Sequence, residues 1–236
     1  GVTVTLLNGS GGTDIDPIAP GTQTLSTTTA NDVVIGDGYY QFTSLVPGTF
    51  IVQVTLPAGY QFSPQDAGSP NDNTLDSDVS ITTGRTAVIT ISESGDDQTW
   101  DAGVVPLASI GNYTFIDQNN DGVQNNDPQD GALAGVLVHL LDTSNNPVDN
   151  PNIVGVQAYT ATTDGTGFYR FTNLPPDVSY VVQFDLPAGY RRSPVDAGGN
   201  DATDSDASLL NGRSPATYLS PDEYDDTVDA GFVPLA

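Results

Sequence analysis

The stretch "FIVQVTLPAGYQFSPQDAG" at residues 50–68 returns at residues 180–198 as "YVVQFDLPAGYRRSPVDAG". Apolar and polar residues alternate in the first half of each copy, which is typical of a half-buried β-strand, and Pro and Gly then end the strand. Three further pairs flank these copies in the same order: "GVTVTLL" at 1–7 with "GVLVHLL" at 135–141, "GYYQFTSLVPG" at 38–48 with "GFYRFTNLPPD" at 167–177, and "DAGVVPLA" at 101–108 with "DAGFVPLA" at 229–236. The chain therefore contains two copies of one domain.

The alternation of apolar and polar residues extends to other segments of the chain. It is clear in "GVTVTLL" and in "TAVITISES" at 86–94, while no segment shows the periodicity of a helix. The chain also holds 25 Gly and 17 Pro residues, which mark frequent turns. These features predict an all-β protein made of two tandem antiparallel β-sandwiches.

The two copies differ at their N-terminal ends. Copy two carries residues 109–134 ahead of its "GVLVHLL" strand, whereas copy one begins directly at the equivalent strand. We therefore predict a β-sandwich over 1–108 that lacks its N-terminal strand and loop, and a complete β-sandwich over 109–236. The chain is expected to be out of phase with the natural domain boundary. It is either one period of a long tandem protein or a subunit whose first copy is completed by a neighbour's strand.

The charge of the chain is strongly negative. Five Arg and no Lys face 28 Asp and only two Glu, which gives a formal net charge of −25. Asp favours turns and caps where Glu favours helices, so the acids are expected in loops that either repel one another or hold cations. Such a chain gains nothing from nucleic acid or anionic membranes, and no apolar run approaches transmembrane length. We expect neither nucleic-acid binding nor membrane insertion.

A calcium-loop pattern occurs in "FIDQNNDGVQNNDPQDG" at 115–131. Calcium prefers six to eight oxygen ligands, and acidic or amide side chains at positions one, three and five, with Gly at six, wrap a short loop around the ion. The matching residues are Asp117, Asn119, Asp121 and Gly122, with the carbonyl of Val123 as a further ligand. Position twelve, normally Glu, is Pro128, so Asp127 or Asp130 is expected to close the shell. The alternative is an Asn- and Asp-rich turn.

A second acidic cluster occurs once in each copy. Its members are Asn71, Asp72, Asp76 and Asp78 in copy one, and Asn200, Asp201, Asp204 and Asp206 in copy two, of which the aspartates are the predicted ligands. Carboxylates this close in sequence repel one another unless a cation or water screens them, so a calcium site is predicted in each copy. A solvated turn is the alternative. Asp101 and Asp229, ahead of the repeated "AG", are weaker ligand candidates for which turn capping is the expected role.

The order of these motifs resembles that of a known family. The segments "IGNYTFIDQNNDGVQNNDPQDGALAGVLVHLLD" at 110–142, "TDGTGFYRFTNLPP" at 163–176, "LPAGYRRSPVDAG", "DSD" and "VDAGFVP" together resemble the SdrD B-like repeats of bacterial serine–aspartate-repeat adhesins, which are related to Cna-B domains. The resemblance implies prealbumin-like, immunoglobulin-like sandwiches that bind Ca²⁺ and form a rigid stalk at the cell surface. Related Cna-B domains often carry a Lys isopeptide crosslink, which a chain without Lys cannot form.

The residues for catalysis are scarce. The chain has no Cys, and its one histidine, His139, is predicted on the outward face of a strand. Serine- or cysteine-type triads therefore lack a base, and Glu93 and Glu223 lie in separate copies, which does not favour a glycosidase pair. We predict that the chain is not an enzyme.

The predicted function is a calcium-stiffened repeat of an extracellular stalk or filament, whose partners are copies of itself joined head to tail, covalently or by strand complementation. Calcium is expected to tie strand ends and the joint between copies. The alternative is an adhesive or carbohydrate-binding module that recognises glycans or a host surface protein through Trp100, Tyr218 and Tyr224. Asn8 and Asn112 match the glycosylation acceptor pattern.

Overall fold

A computed structural model of the chain describes residues 1–13, 25–32, 36–67, 76–93, 95–124 and 130–235. These residues fall into two compact units, Gly1–Val105 and Pro106–Ala236, called unit 1 and unit 2 below. Every regular element among them is a β-strand, so the prediction of an all-β protein is confirmed. Within the described residues, no helix has the length and apolar character needed to cross a membrane.

Unit 1 is organised around one four-stranded sheet with the order β2-β1-β5-β7, beside the smaller pairs β3-β4 and β6-β8. The strands are β1 (Thr3–Asn8), β2 (Leu25–Thr28), β3 (Ala30–Asp32), β4 (Gly36–Tyr39), β5 (Gly48–Val54), β6 (Tyr60–Phe62), β7 (Ile89–Ile91) and β8 (Val104–Pro106). In the antiparallel pair β1–β5, Val4 lies opposite Val54 and Leu6 opposite Val52. These apolar side chains are buried and the Thr and Gln residues between them are not, as the alternation in sequence predicts, although Leu7 at the end of the alternation is buried as well.

Unit 2 contains the same central sheet and two more sheets. The strands are β9 (Ala108–Ile110), β10 (Thr114–Ile116), β11 (Gly131–Ala132), β12 (Leu137–Asp142), β13 (Thr160–Thr162), β14 (Phe171–Leu174), β15 (Val178–Phe184), β16 (Tyr190–Arg192), β17 (Thr217–Leu219), β18 (Tyr224–Asp225) and β19 (Ala230–Pro234). The sheet orders are β13-β12-β15-β17, β11-β10-β19-β16 and β14-β9-β18. The first sheet repeats the order β2-β1-β5-β7 of unit 1.

Two strand pairings in unit 2 are parallel, which the sequence pattern did not predict. β10 pairs with β19, placing Phe115 opposite Gly231, and β9 pairs with β18. Parallel neighbours need a long connection, and here most of unit 2 lies between the paired segments. Each strand of the segment 108–117 thereby has one neighbour from the end of the same unit, β18 for β9 and β19 for β10.

The core of unit 2 lies between its sheets. It is built around Phe171, Phe184 and Phe232, none of which has exposed surface. The ring of Tyr169 meets Phe184 edge to face at 5.4 Å, and its hydroxyl donates to the carbonyl of Val228 at 2.7 Å. A buried Tyr hydroxyl needs such a partner, so this bond fixes the strand end at Val228 against the core.

Candidate metal centre

Three aspartates of unit 2 converge at one point. Carboxylate oxygens of Asp196, Asp204 and Asp206 all lie within 4.8 Å of one another. Asp204 and Asp206 are buried, whereas Asp196 is exposed at the rim. Three carboxylates at this separation repel one another unless protons or a cation compensate their charge.

The backbone holds this cluster in place. The N–H of Asp196 donates to the carbonyl of Ser205 at 3.1 Å, which brings the two loops together. Asp206 and Asp229 are joined twice: the Asp206 N–H donates to the Asp229 carbonyl at 2.9 Å, and the Asp229 N–H donates to Asp206 Oδ2 at 2.7 Å. One carboxylate oxygen of Asp206 is thus held by a backbone hydrogen bond.

Asp204 has an oxygen without a partner. The residue is 3% exposed, and Oδ1 is buried with no hydrogen-bond partner in the part of the chain that the structure describes. Burial, together with the charges of Asp196 and Asp201, raises the pKa of Asp204. A buried carboxylate oxygen without a donor is costly, and a cation or a proton at this atom would remove that cost.

Unit 1 contains the same cluster, formed by Asp66, Asp76 and Asp78 with the same 4.8 Å limit. The N–H of Asp101 donates to Asp78 Oδ2 at 2.6 Å, as Asp229 does in unit 2. Asp76 Oδ1 is buried and has no hydrogen-bond partner among the described residues. Burial raises the pKa of Asp78, and the nearby charges of Asp101, Asp76 and Asp66 raise it further.

The predicted calcium loop folds tightly around its first residue. The carboxylate of Asp117, which is completely buried, accepts hydrogen bonds from the N–H of Asp121 at 3.2 Å and from that of Gly122 at 3.0 Å. Asn119 Oδ1 accepts from the Asp121 N–H at 3.0 Å, and Asp121 Oδ1 from the Val123 N–H at 2.9 Å. The loop therefore directs its side-chain oxygens inward, as a calcium loop does.

The loop lies directly against the acidic cluster of unit 2. Val123 and Asp204 form an isolated antiparallel bridge, and the Ser205 N–H donates to the Gly122 carbonyl at 3.1 Å. Gly122 has φ +79°, and a Cβ there would stand 2.6 Å from the Pro194 carbonyl oxygen, so only glycine allows this approach. The two groups of ligands that the sequence separates are neighbours in the fold.

The remaining predicted ligands have different positions. Asp130 turns back to the loop, since its Oδ1 accepts from the Gln118 N–H at 2.9 Å. Asp201 lies outside the three-carboxylate set but close enough to raise the pKa of Asp206. Asp127 and Asp72 fall outside the described residues.

Two members of the clusters, Asp66 and Asp196, were not among the predicted ligands. Each is the aspartate of the repeated "SPxDAG" motif, at 63–68 and 193–198. Each also has a positive φ, 51° and 49° respectively, which a non-glycine residue rarely adopts. The repetition of this aspartate in both copies was the signal that could have identified it.

Asp229 lies next to the acidic cluster of unit 2, and its expected role in turn capping stays a prediction. The residue has no exposed surface, and Oδ1 has no hydrogen-bond partner within the described ranges. Burial, and then the charge of Asp206, raise the pKa of Asp229 to about 8, while burial raises that of Asp206 to about 7. Asp206, a member of the acidic cluster, therefore has a second buried carboxyl group, that of Asp229, as its direct neighbour.

This pair predicts the pH dependence of stability without metal. A carboxyl group whose pKa is raised on folding contributes stability at low pH and loses it as pH rises through the folded value. In chelator, the melting temperature of unit 2 should therefore fall as pH rises from about 4, near the ordinary pKa of an aspartate, to about 8, the raised pKa of Asp229. Calorimetry over this range tests it, with Asp229→Asn as the variant in which the slope is reduced. A melting temperature that rises with pH in chelator would contradict the assignment.

Other predicted residues are placed as follows. His139 Nε2 lies 3.2 Å from Asp185 Oδ1 on a partly exposed face. Asn8 Oδ1 accepts from the N–H groups of Ser10 and Gly12, and Asn112 Nδ2 donates to the Asp226 carbonyl at 2.6 Å. Glycosylation at Asn8 and Asn112 stays a prediction.

The aromatic residues of the alternative function are partly engaged. Trp100 is half-buried against the core of unit 1, and its Nε1 donates to Asp97 Oδ2 at 2.8 Å. The guanidinium of Arg170 lies 3.8 Å from the ring centre of Tyr224, while Tyr218 is exposed and donates to Asp177 at 2.7 Å. The adhesive or carbohydrate-binding function stays a prediction.

Comparison with known proteins identifies relatives of both units. A family model described as the SdrD B-like domain matches residues 1–104 and 108–232. Serine-aspartate repeat-containing protein D of Staphylococcus aureus (strain Newman) is 34% identical over 233 residues, 98% of this chain and 14% of the relative. Serine-aspartate repeat-containing protein F of Staphylococcus epidermidis (strain ATCC 12228 / FDA PCI 1200) is 32% identical over 197 residues, which is 83% of this chain and 10% of the relative. The chain thus spans only a small part of these relatives.

Among solved structures, the shaft pilin SpaA from Lactobacillus rhamnosus GG aligns over 100% of this chain and 88% of its own. The identity is 13% and the TM-score 0.36. The minor pilin GBS52 of Streptococcus agalactiae aligns over 100% of this chain and 84% of its own, with 16% identity and a TM-score of 0.33.

Proposed function

Because the chain belongs to the family of SdrD B-like domains, we propose that it is a calcium-stiffened structural segment of an extracellular stalk or filament. The family is one of structural adhesin domains and not of enzymes, and membership confirms the predicted location at the cell surface. Calcium binding, and the head-to-tail assembly of the chain with copies of itself, are the parts that we add.

The observation that carries the proposal is the buried oxygen of Asp204. It lies in a set of three carboxylates, the residue is only 3% exposed, and the oxygen accepts no hydrogen bond from the described residues. Calcium takes hard oxygen ligands, and a divalent cation would compensate both the orphaned atom and the repulsion. The chemistry of the donors therefore fits the ion that the family resemblance implies.

The residues that would hold calcium can be named for each unit. In unit 2 they are Asp196, Asp204 and Asp206, with the neighbouring loop of Asp117 and Asp121 as a second source of oxygens. In unit 1 they are Asp66, Asp76 and Asp78. All of these are loop residues that connect strands, so a bound ion joins segments that are distant in sequence.

Calcium would stabilise the fold of this chain without switching its conformation. Calcium sensors respond by moving helices, and the described residues form strands only. A ligand that binds the folded state and not the unfolded state stabilises the fold by mass action. The proposed consequence is a stiffer unit under load, and a stalk segment whose strength depends on extracellular calcium.

A single substitution separates the metal role from a general structural role. Asp204→Asn removes one charge from the cluster, so we expect calcium affinity in unit 2 to fall at least about tenfold, while stability in chelator stays equal or rises because repulsion is relieved. Asp185→Asn, which removes an exposed charge that pairs with His139, is the matched control and should leave both unchanged. Differential scanning calorimetry with and without calcium measures both effects. A loss of stability in chelator with calcium affinity intact would contradict the proposal.

A further inference from the structure

Strand β13 lies at one edge of the central sheet of unit 2, where it pairs only with β12. The Thr163 N–H donates to the Val136 carbonyl at 3.0 Å, which continues the bonding between the two strands. In an antiparallel pair, only alternate residues bond to a given neighbour. The N–H and C=O groups of Thr160 and Thr162 therefore point away from β12, toward the free edge of the sheet.

This edge is open from Thr160 onward. Before that point it is covered, since the N–H of Tyr159 donates to the Val148 carbonyl at 2.7 Å. Among the residues that the structure describes, no strand pairs with the outer side of Thr160 and Thr162, and both residues are exposed. Each of them offers one backbone donor and one acceptor to a further strand.

Unit 1 presents the same edge at β2. Ser26 and Thr28 occupy in β2 the positions that the two threonines have in β13, because both strands have the same register with the repeated strand beside them. The Thr29 N–H donates to the Val2 carbonyl at 2.9 Å, so the backbone groups of Ser26 and Thr28 point outward as well. The outward groups are thus a feature of both copies of the domain.

Both edges lie in stretches of sequence without charge. The segments "NPNIVGVQAYTATT" at 150–163 and "PIAPGTQTLSTTTA" at 17–30 contain no Asp, Glu or Arg, although the net charge of the chain is −25. At physiological ionic strength, charges separated by more than about 8 Å are largely screened. Two copies of the chain can therefore meet at these edges without the local repulsion that acidic surfaces impose.

Exposed edge strands are usually protected against pairing by charges, prolines, bulges or small size. The other edge strands described in unit 2 have such features: Arg191 and Arg192 in β16, Asp225 in β18, a register shift in β14, Pro215 and Pro221 on either side of β17, and a length of two residues in β11. β13 contains only Thr and Ala and keeps a regular register with β12. Its edge lacks this protection.

We propose that the free edge of β13 pairs in antiparallel orientation with the same edge of a second copy of this chain. Pairing about a twofold axis at Ala161 places Thr160 of one copy opposite Thr162 of the other. Two hydrogen bonds form at each of these two positions, so every outward backbone group of both strands is used. Main-chain bonds of this kind are how an exposed sheet edge accepts a further strand.

The side chains identify a second copy as the occupant. The pairing brings Thr opposite Thr, a cross-strand pair that stabilises antiparallel sheets. Asp164, the acid that follows the strand, would lie opposite Ala158 of the other copy, so no two acids face each other. Every chain carries this self-complementary strand. The association goes beyond the proposed head-to-tail assembly and involves none of the proposed calcium ligands.

The test is a disulfide trap, which a chain without cysteine allows. Residues that face each other on the twofold axis form a non-hydrogen-bonded pair with Cα atoms about 4.5 Å apart, within the range that a disulfide spans. Under mild oxidation, Ala161→Cys should form covalent dimers at least about tenfold faster than Ala188→Cys. Ala188 is exposed in a turn and Ala161 only partly exposed, so random collisions would favour the control.

Charge variants in the Ala161→Cys background test the edge itself. Thr160→Asp with Thr162→Asp places like charges opposite each other and should slow dimer formation at least about tenfold. Thr143→Asp with Ala188→Asp adds the same charge at exposed positions outside β13 and should leave the rate unchanged within about twofold.

Mixed variants keep the test valid if Ala161→Cys disturbs the fold. Thr160→Cys and Thr162→Cys replace exposed side chains, and an equimolar mixture should crosslink faster than either alone, because only the mixture places two cysteines opposite each other. Equal rates for Ala161→Cys and Ala188→Cys, mixtures no faster than their components, or charge variants without effect would overturn the pairing. It would be overturned even if the edge then bound an extended peptide of another protein.

Discussion

Addition of calcium to chelator-treated protein is expected to raise the melting temperature of each unit by about 10 °C when free calcium is about 100 times its dissociation constant. The reason is the pair of carboxylate clusters, in which Asp76 and Asp204 each have a buried oxygen without a hydrogen-bond partner among the described residues. An ion that binds only the folded state adds about 2.7 kcal/mol at that concentration. Calorimetry of the intact chain measures the shift directly.

The control for this prediction replaces calcium by sodium. Sodium chloride at matched ionic strength screens exposed charges but cannot fill a buried site, so it should reproduce only a small part of the shift. Calcium and sodium that stabilise the chain equally would indicate general screening of the net charge of −25, and would contradict a specific site.

The second large effect is expected at equivalent phenylalanines of the two units. Phe171 has no exposed surface in unit 2, and its replacement by alanine should cost about 3–5 kcal/mol of unfolding free energy. Phe42 is the residue of unit 1 that is equivalent to Phe171, and its side chain is only half-buried. Phe42→Ala should therefore cost less than half as much unfolding free energy. Chemical unfolding followed by circular dichroism for unit 2 and by Trp100 fluorescence for unit 1 measures both.

Phe50→Ala is the matched control within unit 1. Phe50 is 3% exposed and lies on β5 in the core, so its loss should cost about as much as that of Phe171. A small effect of Phe42→Ala could arise from its partial burial or from a general insensitivity of unit 1 to core substitutions. The Phe50→Ala control distinguishes these two explanations. Equal costs for Phe42→Ala and Phe171→Ala would contradict the difference in burial between these two side chains.

The sequence was sufficient to predict the strands because their periodicity is local. The alternation in "GVTVTLL" and "FIVQV" determines which side chains of β1 and β5 are buried. The parallel pairings of β9 and β10 could not be found in the same way. They join residues such as Thr114 and Ala230 from opposite ends of unit 2, and no local pattern records that proximity.

The metal centre was predictable only in part for the same reason. Asp204, Asp206 and the loop from Asp117 are each visible as clustered acids or as a ligand pattern. Their proximity depends on the bridge between Val123 and Asp204, which is a contact of the folded state. Asp196 stands alone in its turn, so only its recurrence as Asp66 in the other copy distinguishes it from other surface aspartates.

Calorimetric titration of calcium into chelator-treated chain, side by side with the double variant Asp76→Asn, Asp204→Asn, tests the central claim most directly. The account predicts saturable binding to the natural sequence and loss of the binding sites assigned to the two clusters in the variant, with the fold of the variant intact by circular dichroism. Absence of saturable binding to the natural sequence, or identical isotherms for both proteins, would contradict it.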